Sequence, residues 1–260
     1  YYNKKLVTFI PERIFYKPST FLCASLTTFS NDFYEISKMD PKLLWEVDSK
    51  EKLKFENLHN FLWLSRLDRK NSKAPVKNII SSWINIFFNY HQNTWDAEIT
   101  ARRIIAWSSN TDITLEGSDK EYKKKFFISL IKQSNFLSKN LSTLVDEPSK
   151  IVCCAAIILS GMIFEKNNSN YRTGIKELEK IIKNYFGESG FPKSRNPEDV
   201  FICLKYFILI REWLKEGQRS IPESLDDIII KSGGCYKMLS CENKQFPLFN
   251  GATEINYRDY

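Results

Sequence analysis

The amino-acid sequence predicts an all-α protein built from eight successive helices. Apolar residues recur at helical spacing in one segment after another, and short polar loops separate these segments. No stretch before the C-terminus alternates apolar and polar residues as a half-buried strand would. Because the connections are short, we expect antiparallel helical hairpins. A closed ring of hairpins, a superhelical stack and an irregular bundle all fit this pattern, and the lack of an evident fixed period makes a regular stack the weakest of the three.

The helices are expected in the central part of the chain. They are predicted at about 56–70, 79–90, 96–109, 118–141, 149–166, 171–186 and 197–217, with a last one from about 222 that weakens near Gly233-Gly234. Ser118 and Glu121 have the spacing of a capping box at the start of the fourth helix. The segment 149–166 is apolar on nearly all sides, which predicts a buried helix.

Three regions follow from this pattern. Residues 1–55 contain Pro11, Pro18 and Pro41 and predict an irregular N-terminal arm that packs on the helical domain. Residues 56–243 form that domain. Residues 244–260 predict a turn and a short strand, a β-like C-terminal tail.

Composition and charge narrow the class of partner. The sequence is 43% hydrophobic and 14% aromatic, as expected of a globular chain, and carries a net charge of +7. That charge suits an anionic polymer, a membrane surface or a nucleic acid. The apolar run 151–164 is too short to span a membrane. A helical nucleic-acid-binding or protein scaffold is disfavoured because the basic residues are spread around rather than collected on one helix face. We therefore predict no nucleic acid and no membrane span.

Several chemistries have no support in the sequence. Six cysteines and two histidines show no metal-ligand spacing, so we predict no metal, no cofactor and no disulfide framework. Cys153 and Cys154 lie in an apolar run and are predicted to be core residues. No nucleophile-histidine arrangement, phosphate-binding glycine loop or paired carboxylate set is evident.

The loop 190–197 is the most informative segment. Asn196 is predicted to cap the following helix and Pro197 to occupy its first turn. Lys193, Ser194 and Arg195 are not needed to start a helix, and they place donors and positive charge on a loop, where anionic ligands are often bound. The alternative interpretation is a capped helix start with solvated basic neighbours.

A second candidate segment runs from Trp95 to Trp107. It contains the adjacent pair Arg102 and Arg103, of which one can face inward and would then need a carboxylate partner, with Asp96 and Glu98 nearby. The pair predicts either a buried ion pair that fixes helix packing or an arginine that lines a groove for acidic groups. Trp95 precedes its helix and is the best tryptophan candidate for a groove wall.

Four blocks of the sequence resemble the N-terminal helical domain of bacterial heparinase II/III-like proteins. In order along the chain they are Leu58-His59-Asn60-Phe61-Leu62-Trp63-Leu64, Trp95 to Trp107 with Thr100-Ala101-Arg102-Arg103, Gly190 to Pro197 with Ser194-Arg195-Asn196-Pro197, and Leu248-Phe249-Asn250-Gly251. Together they span roughly residues 56–254. Each block alone is weakly specific, and their order and spacing carry the resemblance.

The resemblance implies an incomplete (α/α) toroid, followed in the family by a β-sandwich domain of which residues 244–260 would be the start. It also implies a lyase that cleaves uronate-containing acidic polysaccharide, such as a glycosaminoglycan, by β-elimination. The implied substrate-binding residues, with those from the second segment, are Trp95, Arg102, Arg103, Ser194, Arg195, Asn250 and Glu254. The catalytic residues stay unassigned, with Asn196 and Tyr257 as candidates.

The sequence departs from the family pattern at Pro192. Many relatives carry a histidine at this place in the glycine loop, and the β-sandwich that supplies a further catalytic histidine lies outside these 260 residues. We therefore expect the chain alone to be inactive. The alternative function is a non-catalytic helical module that binds an anionic glycan or a cell-envelope polymer. Because the chain begins at Tyr1 without a methionine, we expect a periplasmic or secreted protein if an export signal precedes it, and a cytoplasmic one otherwise.

Overall fold

A computed structural model of the protein describes residues 5–24, 26, 40–41, 43–164, 168–240 and 247–253. Within these residues the chain forms α-helices, three short 3-10 segments (Leu43–Glu46, Leu62–Arg66 and Leu141–Thr143) and no β-sheet. The helices are α1 (Thr20–Ala24), α2 (Lys52–Asn60), α3 (Lys73–Phe87), α4 (Ala97–Ser109), α5 (Thr111–Thr114), α6 (Lys120–Asn140), α7 (Glu147–Ile163), α8 (Asn168–Tyr185), α9 (Pro197–Glu216) and α10 (Glu223–Leu239). The all-α prediction is confirmed.

The longer helices pack in two rows. In one row α4 lies against α7 and α7 against α9, and in the other α3 contacts α6, α6 contacts α8, and α8 contacts α10. The rows cover each other through α4 with α6, α7 with α8, and α9 with α10. Helix α7 is central and almost wholly buried, as its apolar sequence predicts. A double row of hairpins is what an (α/α) toroid requires, whereas closure into an incomplete ring stays a prediction.

The three helices of the first row, α4, α7 and α9, are each capped by a side chain at the N-terminus. Asp96, Asp146 and Asn196 each accept a hydrogen bond from a backbone N–H in the first turn of α4, α7 and α9, respectively. The Ser149 hydroxyl donates to Glu98 Oε2 over 2.9 Å. Since both residues lie in a first turn, α4 and α7 begin side by side at the same end of the domain.

Within the predicted N-terminal arm, residues 5–24 include the short helix α1 and contact the longer helices. Phe15 N donates to the carbonyl of Ile163 at 2.9 Å, and Tyr16 OH donates to Glu216 Oε2 at 2.6 Å. Asn135 donates to a carbonyl of the arm at 2.7 Å. The arm therefore touches α6, α7 and α9. The domain boundaries at 55 and 243 stay a prediction.

The predicted helix over 56–70 is wrong. Helix α2 ends at Asn60, Phe61 adopts a left-handed conformation with φ of 59°, and the chain continues as a 3-10 segment. Asn60 Oδ1 accepts from Leu62 N at 2.9 Å, which stabilises the break. Phe61 is fully buried and stacks on Trp63 at 5.5 Å between ring centroids. Periodicity did not reveal the break because the 3-10 segment keeps burying apolar residues.

Two predicted helix ends also differ. Asp119, not Ser118, caps α6, since its carboxylate accepts from Tyr122 N at 2.8 Å. Helix α10 does not weaken at Gly233-Gly234 but continues to Leu239. A Cβ at either glycine would meet nothing within 4 Å, so these positions carry no packing, while their neighbours Ser232 and Cys235 are buried and hold the helix in place.

The C-terminal tail was predicted as a turn and a short strand. The turn is present at Asn250-Gly251, where φ is 50° and 90°. Residues 247–253 contain no strand, and 244–246 lie outside the described residues.

Arg103 lies at the centre of the packing and is fully buried. Its guanidinium lies 4.1 Å from the ring centroid of Trp83. Its N–H groups donate to Gln133 Oε1 (2.6 Å), His59 O (2.9 Å), Thr94 O (3.0 Å) and Thr100 Oγ1 (3.1 Å). One side chain thus joins α2, α3, α4 and α6.

The sequence predicts a carboxylate partner for the inward-facing arginine, and this prediction is wrong. Among the described residues Arg103 bonds no carboxylate, and Glu98 instead pairs with Arg102, four residues further along α4. The reason is geometric, because residues four apart share a helix face whereas 98 and 103 do not. Burial lowers the pKa of Arg103 well below its usual value, opposed by Asp96. The side chain still carries its charge, since arginine does not deprotonate in proteins.

Substitution of Arg103 is expected to destabilise the fold strongly. Arg103→Ala leaves two buried carbonyls, an amide oxygen and a cavity, which together cost about 3–5 kcal/mol. The matched control is Arg172→Ala, an exposed arginine of α8 whose loss should cost about 0.5 kcal/mol or less. Urea unfolding of both variants measures the difference, and equal losses would contradict a central role for Arg103.

His59 is fully buried beside this arginine. Its Nδ1 accepts from Trp83 Nε1 at 3.1 Å, and its ring lies 4.3 Å from Phe55 and 5.3 Å from Trp45 between centroids. Burial, together with the charge of Arg103, lowers the pKa of His59 to about 3. The imidazole is therefore neutral in the folded protein and serves as a hydrogen-bond acceptor in the core.

Acid should unfold the protein partly through His59. Between pH 6.5 and about 3 the unfolded chain binds a proton at this histidine and the folded chain does not, so stability falls as pH falls. The slope contributed by one proton is about 1.4 kcal/mol per pH unit. His59→Gln should remove that contribution, and unfolding measured at pH 6.5, 5.5 and 4.5 checks it. A variant with an unchanged slope would contradict the assignment.

Candidate functional site

The loop between α8 and α9 is folded tightly against its neighbours. Lys193 N donates to Tyr185 O at 2.8 Å, and an isolated bridge pairs Phe186 with Pro192. Gly190 has φ of 82°, and a Cβ there would meet the backbone of α10 at 2.7 Å. Ser232 of α10 donates to the Gly190 carbonyl at 2.8 Å. This close approach requires glycine and fixes the loop on α10.

Asp199, in the first turn of α9, anchors the second half of the loop. Its Oδ2 accepts from Ser194 Oγ at 2.6 Å and from Tyr185 OH at 2.7 Å. Ser194 Oγ in turn accepts from Asn196 N at 3.2 Å. Burial and the bond to Asp199 raise the pKa of Tyr185, so this hydroxyl stays a donor. The Ser194 hydroxyl, predicted to contact substrate, is thus engaged within the protein.

Arg195 and Asn196 present the groups that the loop leaves available. Arg195 has a left-handed backbone with φ of 59° and an exposed side chain. Among the described residues, no hydrogen bond or ion pair engages its guanidinium. Asn196 Oδ1 accepts from Glu198 N at 2.9 Å, which confirms the predicted cap. The bond orients the amide, and no described hydrogen bond uses its Nδ2.

The C-terminal segment 247–253 reaches the same place. Asn250 Nδ2 donates to the Arg195 carbonyl at 2.9 Å. Thr253 donates to Glu198 Oε2 through both its N and its Oγ1, each at 3.0 Å. Two predicted site residues that are distant in sequence, Arg195 and Asn250, are therefore brought together. The other two predictions in this region, Glu254 and Tyr257, lie outside the described residues.

Trp95 does not line a groove, contrary to the sequence-based expectation. Its side chain is 1% exposed. Its Nε1 donates to Phe87 O at 2.9 Å, and its ring packs edge-on against Phe136 at 5.3 Å. The indole N–H finds its partner inside the fold, as buried tryptophans usually do. Arg103, equally buried, also offers no surface to a ligand.

Arg102 does reach the surface, with 25% of its side chain exposed. It pairs with Glu98 and hydrogen-bonds Tyr206 of α9. Burial acts to lower the pKa of Arg102, but Tyr206 and Glu98 outweigh it and the pKa is raised. Arg102 is therefore a permanent cation at the contact between α4 and α9.

Sequence reasoning missed Lys205, which lies beside Arg102. Lys205 is half-buried on α9, with its Nζ 4.5 Å from the ring centroid of Phe201. Burial, and then the charge of Arg102, lower the pKa of Lys205 to about 7. The only signal in the sequence is a lysine inside the apolar run 200–210. Glu56 of α2, also near Arg102, was missed as well.

Two cavities lie elsewhere. One of about 390 Å³ lies between α3 and the start of α6, with Lys77, Asp119 and Tyr122 in its wall, and one of about 350 Å³ lies under the arm against Phe164. Neither includes a predicted site residue. In the described part of the chain no three His, Cys, Asp or Glu side chains form a metal-binding group. No described helix combines the length and the apolar character needed to cross a bilayer.

Comparison with solved structures identifies the fold. Heparinase III superposes with a TM-score of 0.60 at 15% identity, covering 86% of this chain and 38% of its own. A heparan sulfate lyase HepC mutant from Pedobacter heparinus gives a TM-score of 0.55 at 13% identity, covering 95% of this chain and 44% of its own. The chain shares the fold of the part of heparinase III that it matches. No protein-family profile and no curated protein sequence matches it.

The resemblance to the heparinase helical domain is confirmed at the level of the fold. The chain spans less than half the length of either solved relative. In this fold, α9 carries two of the polar side chains described above, those of Asn196 and Lys205. Asn196 lies at its start and Lys205 nine residues later, about 14 Å along the axis.

Loss of the Asp199 carboxylate should loosen the loop. Asp199→Ala removes two charge-assisted hydrogen bonds and a favourable charge at the helix start, so we expect a loss of about 1–3 kcal/mol. Amide exchange at Lys193 and Asn196 should accelerate more than exchange elsewhere. The matched control is Glu223→Ala, an exposed acid in the first turn of α10. Equal exchange in the two variants would show that Asp199 does not order the loop.

Proposed function

We propose that this chain is the helical part of a polysaccharide lyase and binds uronate-containing acidic polysaccharide at Arg195 and Asn196. One observation carries the proposal. The guanidinium of Arg195 and the amide Nδ2 of Asn196 are side by side in sequence, uncommitted among the described residues, and held by a rigid loop at the start of α9. The shared fold with heparinase III and the net charge of +7 support it.

The chemistry of β-elimination explains what these groups would do. A base removes the proton at C5 of the uronate, the electron pair forms the C4–C5 double bond, and the bond from C4 to the glycosidic oxygen breaks as an acid protonates that oxygen. The C5 proton is hard to remove while the neighbouring carboxylate is charged. A donor and a cation on that carboxylate stabilise the developing negative charge.

The proposal gives the residues separate roles. Arg195 pairs with the uronate carboxylate, and Asn196 donates to it through Nδ2. The dipole of α9 adds partial positive charge at the start of the helix. Asn250 acts through the Arg195 carbonyl and supports the loop. Tyr257 stays the candidate base and Glu254 a candidate substrate contact.

The alternative function is a non-catalytic module that binds an anionic glycan. One observation favours it. Pro192 stands where the family resemblance expects a histidine, and it is buried and bridged to Phe186, so this position transfers no proton. Both functions require binding, and only turnover separates them.

Glycan binding should depend more on Arg195 and Asn196 than on cationic side chains elsewhere on the surface. Asn196→Asp keeps the helix cap but places a carboxylate against the anion, and Arg195→Ala removes the guanidinium. We expect each to weaken binding of a heparan sulfate oligosaccharide by about tenfold or more, or about 1.4 kcal/mol. The matched control is Arg172→Ala, which removes the same charge from an exposed position of α8. Calorimetry measures affinity and thermal unfolding checks the fold, and losses equal to the control would contradict the site.

Turnover is measured with the full-length protein and a panel of uronate polymers. Ultraviolet absorbance from an unsaturated uronate end supports the lyase. Binding without absorbance on every polymer supports the module instead. Absence of binding to all of them would overturn both functions.

A further inference from the structure

The cavity between α3 and the start of α6 lies far from the loop 190–197. Its volume of about 390 Å³ is within the range of small-molecule sites. Helix α6 leads into α7 through the short connection 141–146, so the two run antiparallel, and α8 returns along α7 to the loop where α9 begins. The start of α6 is therefore about 30 Å, the length of that helix, from the end of the domain that carries the loop.

The uncharged polar side chains in the wall of the cavity are available to a ligand. Asn78, Ser81 and Asn85 lie on one face of α3, at spacings of three and four residues. Within the described part of the chain, no hydrogen bond engages these three side chains. Ser82, on another face of the same helix, accepts from Trp45 Nε1 at 3.0 Å. Polar side chains of α3 thus serve the packing outside the cavity and stay uncommitted inside it.

The charged side chains of the wall, in contrast, are engaged within the protein. Lys77 Nζ donates to the Glu116 carbonyl at 2.5 Å, and Lys125 Nζ pairs with Glu121 at 2.8 Å. Asp119 caps α6 through one carboxylate oxygen. An arriving anion would find both lysines of the wall already bonded and two carboxylates beside them. A ligand without charge has no such competition and meets the free amides and hydroxyl.

We propose that the cavity binds an uncharged, hydroxyl-rich ligand of one or two sugar units. A side-chain amide both donates and accepts, so it can bond neighbouring hydroxyl groups of a sugar. Asn78 and Asn85 are about 10 Å apart along α3, a span that suits a disaccharide. Ile84 and the ring of Tyr122 supply an apolar part of the wall, on which the C–H face of a sugar ring can pack.

This site is independent of the proposed function. It uses none of the residues around the loop, and it selects neutral rather than acidic sugars. Arg195→Ala should therefore leave binding in the cavity unchanged, and Asn78→Ala should leave binding of heparan sulfate unchanged. Either proposal can fail while the other stands.

The test titrates the isotope-labelled full chain with glucose, N-acetylglucosamine, cellobiose, diacetylchitobiose and glucuronate, and follows the side-chain amide signals of Asn78 and Asn85 by NMR. We expect a neutral sugar to shift both signals saturably. Asn78→Ala and Asn85→Ala should each weaken its binding about fivefold, the effect of one lost hydrogen bond. Ser81→Phe should fill the cavity and abolish binding. The matched control is Asn184→Ala, an exposed asparagine of α8, and thermal unfolding checks the fold of every variant.

The outcomes decide both the site and the kind of ligand. Binding that the two asparagine variants weaken and Asn184→Ala leaves unchanged supports the site. Absence of binding to every neutral sugar overturns it, as does binding that neither cavity asparagine affects. Shifts caused by glucuronate alone would make the ligand an anion and overturn the proposal as well. A disaccharide that binds more tightly than its monosaccharide assigns part of a longer glycan, and equal affinities assign a free sugar.

Discussion

The fold depends on a buried arginine that pairs with no carboxylate in the described part of the chain. Arg103 distributes its charge over two backbone carbonyls, an amide and a hydroxyl on the surrounding helices, and over the face of Trp83. One of those carbonyls belongs to His59, in the last turn of α2. Carbonyls in a last turn have no partner within their own helix. The early end of α2 at Asn60, with left-handed Phe61 after it, therefore supplies the acceptor that Arg103 needs, and the break in the helix and the buried charge explain each other.

Helix geometry also sets the direction in which the neighbouring Arg102 points. Successive residues on a helix point about 100° apart, so once Arg103 faces the core, Arg102 must turn towards α9. There it meets Tyr206 and Lys205 at the edge of the packing, one quarter exposed. Arg103 fixes the helix packing, as the structural interpretation of the pair predicts. It does so through hydrogen bonds to uncharged oxygens rather than through a buried ion pair. The functional interpretation, an arginine that lines a groove for acidic groups, is wrong for the buried Arg103 and stays a prediction for Arg102.

The sequence predicts what is local and periodic. It identifies the longer helices α3, α4 and α6 to α10, the buried character of α7, the cap at Asn196 and the loop that Asn250 later joins. It does not predict what depends on distant partners. Trp95 was misplaced because the carbonyl of Phe87 and the ring of Phe136, which bury it, come from other elements. Lys205 was missed because its environment depends on Arg102 of α4, and the sequence does not reveal that α4 lies near this part of α9.

The two arginines near α9, Arg195 and Arg102, differ in how their charges are engaged within the protein. Around the loop, Ser194, Tyr185 and Asp199 satisfy one another, so Arg195 and the Asn196 amide are held in place without being used. A ligand can bind them without breaking a protein contact. Arg102, in contrast, shares its charge with Glu98 and Tyr206, and an anion gains little from it alone. The loop instead leaves exposed a guanidinium that stays charged at any physiological pH.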